Sequence, residues 1–110
     1  MTTQIPSDAD GVPIPALRLK PSGSHALAVT ATSGRLGPFD PDTRVVALFA
    51  TGPVFLRSGN GTVQASAGDH YFPDGIWCTL SLGGGKTDRH THFAAITAAA
   101  NCTLYLSEME

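Results

Sequence analysis

The chain has 110 residues, 42% of them hydrophobic and only 15% charged, with a formal net charge of −2. That length gives one domain with one core, since roughly two-thirds of the unfolded surface is buried at this size. The seven basic residues form no stripe, which argues against direct nucleic-acid binding, and no apolar run approaches the roughly 20 residues of a membrane-spanning helix. With so few charges, much of the surface must be Thr, Ser, Gly and Ala, a composition suited to contact with other protein. The opening "MTTQIPSDADG" has neither the basic nor the apolar region of a secretion signal, so a reducing cytoplasm is expected. Cys78 and Cys102 are then free core thiols rather than a disulfide, and the two sequons, at Asn60 and Asn101, are chance matches.

Residues 1–24 read as an extended arm. They hold Pro6, Pro13, Pro15 and Pro21, each fixing φ and pushing the residue before it into an extended conformation. The arm also carries Val12, Ile14, Leu17 and Leu19, which a flexible linker would not need. Ordering roughly 20 residues costs on the order of 20 kcal/mol. Offsetting that by burial alone needs about 800 Å² of apolar surface. A small domain can hardly supply this to its own tail, so an ordered arm implies a partner. Val12, Ile14, Leu17 and Leu19 are the expected partner-binding residues, on a capsid or a neighbouring subunit.

From residue 25 to residue 110 the chain reads as strand after strand. "HALAVTAT" places His25, Leu27, Val29 and Ala31 on one face. "SGRLGPFDPDT" is a turn-rich loop whose Asp40 and Asp42 suit a turn better than acid–base work. "RVVALFA" is apolar on both faces, as in a central strand or one covered by another chain. "PVFLR" follows, and Asn60-Gly61 then supplies a hairpin turn with the positive-φ pair that hairpins prefer. "TVQASA" is expected as the returning strand, with Val63, Ala65 and Ala67 inward. "GDHYFPDG" reads as a turn. "IWCTLSL" alternates Ile76, Cys78, Leu80 and Leu82 against Trp77, Thr79 and Ser81. "HFAAIT" and "CTLYLSE" close the chain, the latter with Cys102, Leu104 and Leu106 on one face; the alanines of 92–102 leave a helix there as the alternative. Seven or eight short strands with regular turn signals give an all-β fold, a single antiparallel β-sandwich, jelly-roll-like, with the N-terminal arm outside it.

Three candidate sites are weighed against that frame. "GGGKT" is no phosphate loop, because the required earlier glycine falls on Leu80. His90 and His92, at i and i+2, share one strand face as metal-ligating pairs do in cupins, with His70 and His25 as further ligands. The cupin glutamate is missing, however, and only Asp69 and Asp88 are near in sequence, so these two histidines stand as weak metal candidates and no cofactor is expected. No Ser or Cys nucleophile motif occurs, which points away from an enzyme. Trp77 and Tyr105 fall on the polar faces of their strands, with Tyr71 also available. Outward aromatics suit either a sugar or a protein partner.

Residues 43–108 resemble small β-sandwich virion proteins of tailed phages and gene transfer agents. The resemblance rests on "VFLRSG", a short alternating strand, "DHYFPDG", "HFAAI" and a closing "TLYLSE". It implies a non-enzymatic structural protein of a phage-like particle, assembled in the bacterial cytoplasm and attached to the capsid surface as a head-spike base or decoration protein. Its partners would be capsid protein, spike fibre protein and further copies of itself, a pentamer at the capsid vertices being the expected ring. The alternatives are a head–tail connector or tail component, a carbohydrate-binding module on the particle surface using Trp77 and Tyr105, and a small metal-dependent cupin-like protein using His90 and His92.

Overall fold

The computed structural model describes residues 17–84 and 88–110. Their eight strands are β1 (Leu19–Val29), β2 (Gly34–Leu36), β3 (Val45–Ala50), β4 (Val54–Gly59), β5 (His70–Phe72), β6 (Cys78–Ser81), β7 (His92–Thr97) and β8 (Cys102–Met109). Two four-stranded sheets form, in the orders β1-β8-β3-β6 and β2-β7-β4-β5, with every pairing antiparallel. The pairs β1·β8, β2·β7, β3·β6 and β4·β5 all occur, so the chain is one long four-step hairpin rolled into two layers. This is jelly-roll connectivity, as expected.

The alternation read in "HALAV" and "CTLYLSE" holds in the core, and the remaining strands complete it. Val29, Val46, Leu48, Ala50, Leu104 and Leu106 from one sheet meet Leu36, Val54, Leu56, Phe72, Phe93 and Ala95 from the other. Leu27, Cys78, Leu80 and Cys102 pack at its margin. The apolar "RVVALFA" is a central strand: β3 lies between β8 and β6. Residues 92–102 give strand β7, a turn and the start of β8, and no helix occurs among the described residues.

Four expectations shift. β1 opens at Leu19, so residues 19–24, expected at the end of the arm, lie in the first strand. The prolines concealed this. Pro21 is tolerated because β1 is an edge strand, and a bulge between Leu19 and Ser24 absorbs it. Gly23 is required in that bulge, since a Cβ there would lie 2.9 Å from Glu108 Cβ. Second, neither Asn60 nor Gly61 takes positive φ. Asn60 instead caps its own turn, Oδ1 accepting from Thr62 N–H at 3.0 Å and Thr62 Oγ1 at 2.8 Å. Third, 62–67 is not a strand. Asp69 caps a second turn by accepting from Ser66 N–H at 2.7 Å, and Ala65 N–H donates to Ser33 Oγ at 2.8 Å. Side-chain oxygens thus take backbone groups that a ladder would need. Fourth, β4 pairs instead with β5, formed inside "GDHYFPDG".

One end of the sandwich is closed by a buried carboxylate. Glu108, on the inward face of β8 and 4% exposed, accepts from Thr43 Oγ1 at 2.5 Å, Asp40 N–H at 2.9 Å and His25 Nε2 at 2.7 Å. Asp40 also holds the Lys20 ammonium at 2.8 Å. Burial pushes the Glu108 carboxyl up, but the bonds from Thr43, His25 and Asp40 N–H outweigh it and hold it below its ordinary 4.5. A carboxyl lowered in the fold contributes stability that is present above its ordinary value and lost as pH falls through the lowered one. Urea unfolding from pH 7 to pH 3 should therefore show stability declining below about pH 4.5, and Glu108→Gln should flatten that decline. Thr43→Val removes one bond to the charged group and should cost about 1.5–3 kcal/mol at pH 7.

Candidate interaction surface

The outward face of the β1-β8-β3-β6 sheet is laid out by register. Its rows are Leu19, Met109, Val45 and Ser81; Ser24, Ser107, Ala47 and Thr79; Ala26, Tyr105 and Phe49; then Ala28 and Thr103. Not one of these positions is charged. Most are small, so the face is low in relief, and Tyr105 stands out of it at 47% exposure. Trp77, 55% exposed, precedes Cys78, the partner of Leu48; the register therefore carries it alongside Phe49 in the Tyr105 row. The two expected contact aromatics, from strands far apart in sequence, flank one row of a single face.

The other sheet's outward face differs. Arg35 and Arg57 flank Ala94 across β2, β7 and β4, and the long stems of such side chains cover a small neighbour while their charges stay wet. Phe55 meets Tyr71 edge-on, ring centroids 5.9 Å apart. Burying this face would mean desolvating two guanidinium groups, a cost the first face does not carry.

The remaining candidates disperse. His90 lies ahead of β7, with Nδ1 2.7 Å from Ser58 Oγ and its N–H donated to Leu82 O. His92 is the first residue of β7, with Nδ1 2.7 Å from Thr91 Oγ1 and its ring against Gly37. The two are held by different neighbours. Among the described residues no three His, Cys, Asp or Glu side chains gather as a metal site. A polar cleft of about 940 Å³ opens beside His90, lined by Arg57, Ser58, Asn60, Asp88, Arg89 and Thr91 among others. Arg89 does not present its charge freely there: its guanidinium donates to the carbonyls of Thr43 and Asp40.

Of the arm residues, Val12 and Ile14 lie outside the described residues. Leu17 is half-buried, and Leu19, 56% exposed, edges the uncharged face. Cys78 and Cys102 are free thiols on β6 and β8. Cys78 lies level with Leu106, two strands away across β3, and Cys102 sits further along β8; the across-sheet spacing alone, about 9.6 Å, already exceeds the ~7 Å reach of a disulfide. Thiol titration of the denatured, unreduced protein should count two groups per chain; a count near zero would contradict this pairing geometry.

No family model and no curated protein matches this chain. One solved structure does: a chain from Bacillus endospore appendages, described as a novel family of disulfide-linked pili, at 16% identity and a TM-score of 0.49, covering 78% of this chain and 80% of that one. The resemblance of residues 43–108 to phage and gene-transfer-agent virion proteins gains no support from these comparisons.

Proposed function

We propose that this protein is a non-enzymatic structural subunit of a phage-like particle, assembled in the bacterial cytoplasm and attached to the capsid surface as a head-spike base or decoration protein. The uncharged outward face of the β1-β8-β3-β6 sheet carries the reading. A surface that water-soluble domains normally sprinkle with Lys, Glu and Asp carries no charge in any of its four rows here, and three of those rows hold only Ser, Ala, Thr and aromatic side chains. Such a face loses little on desolvation and gains from every apolar atom covered. The capsid or spike fibre would take this face, with Leu19 at its edge.

Density-gradient fractions of particles from the native host, analysed by mass spectrometry, test this. The wild-type chain should co-band with DNA-filled particles, and Tyr105→Lys should fold, by circular dichroism, yet leave the particle band. A chain abundant in the lysate but absent from particles would contradict the proposal. The exposed pair Trp77 and Tyr105 supports a second reading, a sugar-binding face on the same particle. Glycan-array binding that is lost in Trp77→Ala would favour it.

A further inference from the structure

The two sides of the sandwich are not equally closed. Between β1 and β2 the layers press together: a Cβ on Gly34 would lie 3.1 Å from Leu27 Cδ1. On the opposite side, between the edge strands β5 and β6, a groove of about 390 Å³ remains. Core side chains line it: Leu56 and Phe72 from one sheet, Leu80 from the other, and Phe93 at its floor.

Edge strand β6 also has a defined hydrogen-bonding polarity. Leu82 N–H donates to Arg44 O at 2.7 Å, toward β3. Backbone direction alternates along a strand, so Leu80 and Cys78 also point their groups toward β3. The N–H and C=O of Thr79 and Ser81 therefore point to the open edge.

The arm sequence "VPIPA" complements this edge. Val12 and Ile14 each precede a proline and are thereby pushed extended. Pro13 and Pro15 have no N–H, so as a strand this segment can bond along one side only, through Val12, Ile14 and Ala16. The prolines then face outward and stop further addition, as proline does on natural edge strands.

We infer that residues 12–16 of a second copy add as a strand to the open edge of β6, with Val12 and Ile14 filling the groove beside Leu80 and Phe72. The direction follows from stereochemistry. In an antiparallel pair, residues that exchange bonds lie opposite each other with side chains on one face, and for Thr79 and Ser81 that face is the outer one. In a parallel pair a bonding residue lies opposite one that bonds away, here Cys78 or Leu80, whose side chains face the core. Parallel addition thus sets Val12 opposite Cys78, Ile14 opposite Leu80 and Ala16 opposite Leu82. It satisfies all four edge groups: Ile14 N–H to Thr79 O, Ser81 N–H to Ile14 O, Thr79 N–H to Val12 O, and Ala16 N–H to Ser81 O.

The segment must come from another copy. Arg18 is fixed at the far side of the same sheet by reciprocal bonds with Glu110, both 2.9 Å. The β6 edge lies three strand spacings away, about 14 Å. Ala16 is two residues from Arg18 and reaches at most about 7 Å. The contact joins arm to edge, so it closes as a reciprocal exchange between two copies or repeats from subunit to subunit into a ring where the rotation permits. It rests on the reading of the chain as an assembling subunit but uses the edge of β6 and the groove beside it rather than the outward face of that sheet.

Light scattering on the full-length chain tests it. Thr79→Pro removes an edge N–H without touching the β3 ladder, and Ile14→Asp puts a charge into the groove. Wild type should associate, and each variant should be monomeric with its circular dichroism unchanged. An equimolar mixture of the two should recover a dimer, because one copy keeps an intact arm and the other an intact groove. Should Thr79→Pro fail to fold, Leu80→Glu at the groove wall takes its place. Variants that keep the wild-type mass, a mixture that stays monomeric, or a wild type that is monomeric at hundreds of micromolar would each overturn the inference. Co-banding with particles, lost in Tyr105→Lys, is scored separately, so either idea can fail alone.

Discussion

The buried carboxylate of Glu108 organises the end of the sandwich on which much else depends. β8 is the strand shared by both neighbours in its sheet, pairing with β1 and with β3 along its length. Just where those strands converge, Glu108 draws in His25 from β1 and Thr43 with Asp40 from the loop that carries the chain from one sheet to the other. A charge this deep is tolerable only because three donors replace its water. The price is a glycine at position 23 and a bulge in β1. Beyond the bulge the ladder resumes, Leu19 opposite Met109 and Arg18 exchanging bonds with Glu110.

The two outer faces then divide the work by electrostatics. The face over Ala94 keeps its guanidinium groups in water and suits a solvent-facing surface, while the face centred on Tyr105 has no charge to desolvate. Jelly rolls supply such flat faces readily, because an antiparallel strand puts alternate residues outward whatever the core requires. Here the outward set is small and neutral in row after row, which costs stability nothing and leaves a surface ready to be covered. The groove between β5 and β6 is a different kind of opening. It exposes Leu56, Phe72 and Leu80 beside the edge of β6, and the occupant inferred for it is a strand rather than a surface.

Much of the fold was legible because inward positions alternate cleanly. In "HALAV" and "CTLYLSE" the period-two pattern names the same inward residues that the packing shows, including Val29, Leu104 and Leu106, while "RVVALFA", apolar on both faces, told its central place and not which face is inward. Reading failed where a short polar side chain competed for the backbone. Asn60 and Asp69 turn 60–69 into two capped turns, although "TVQASA" alternates as well as any true strand. It failed at β5 because three residues are too few to show a period, and at β1 because prolines mask a strand that lies at an edge. Glu108 was invisible as a core group: nothing in "LSEME" says that its partners will arrive from residues 25, 40 and 43. The uncharged face was half legible. Trp77 and Tyr105 were singled out from their strands' polar faces, but that they flank one row needed the register.

The proposed attachment runs through an uncharged face. The fraction of this chain retained on purified particles, washed at sodium chloride concentrations from about 50 mM to 1 M, tests it most directly, since ion pairing at a surface is screened within about 3 Å at the upper end. Retention that stays level or rises with salt is the predicted result. Release as salt increases would contradict it and would place the contact on Arg35 and Arg57 instead.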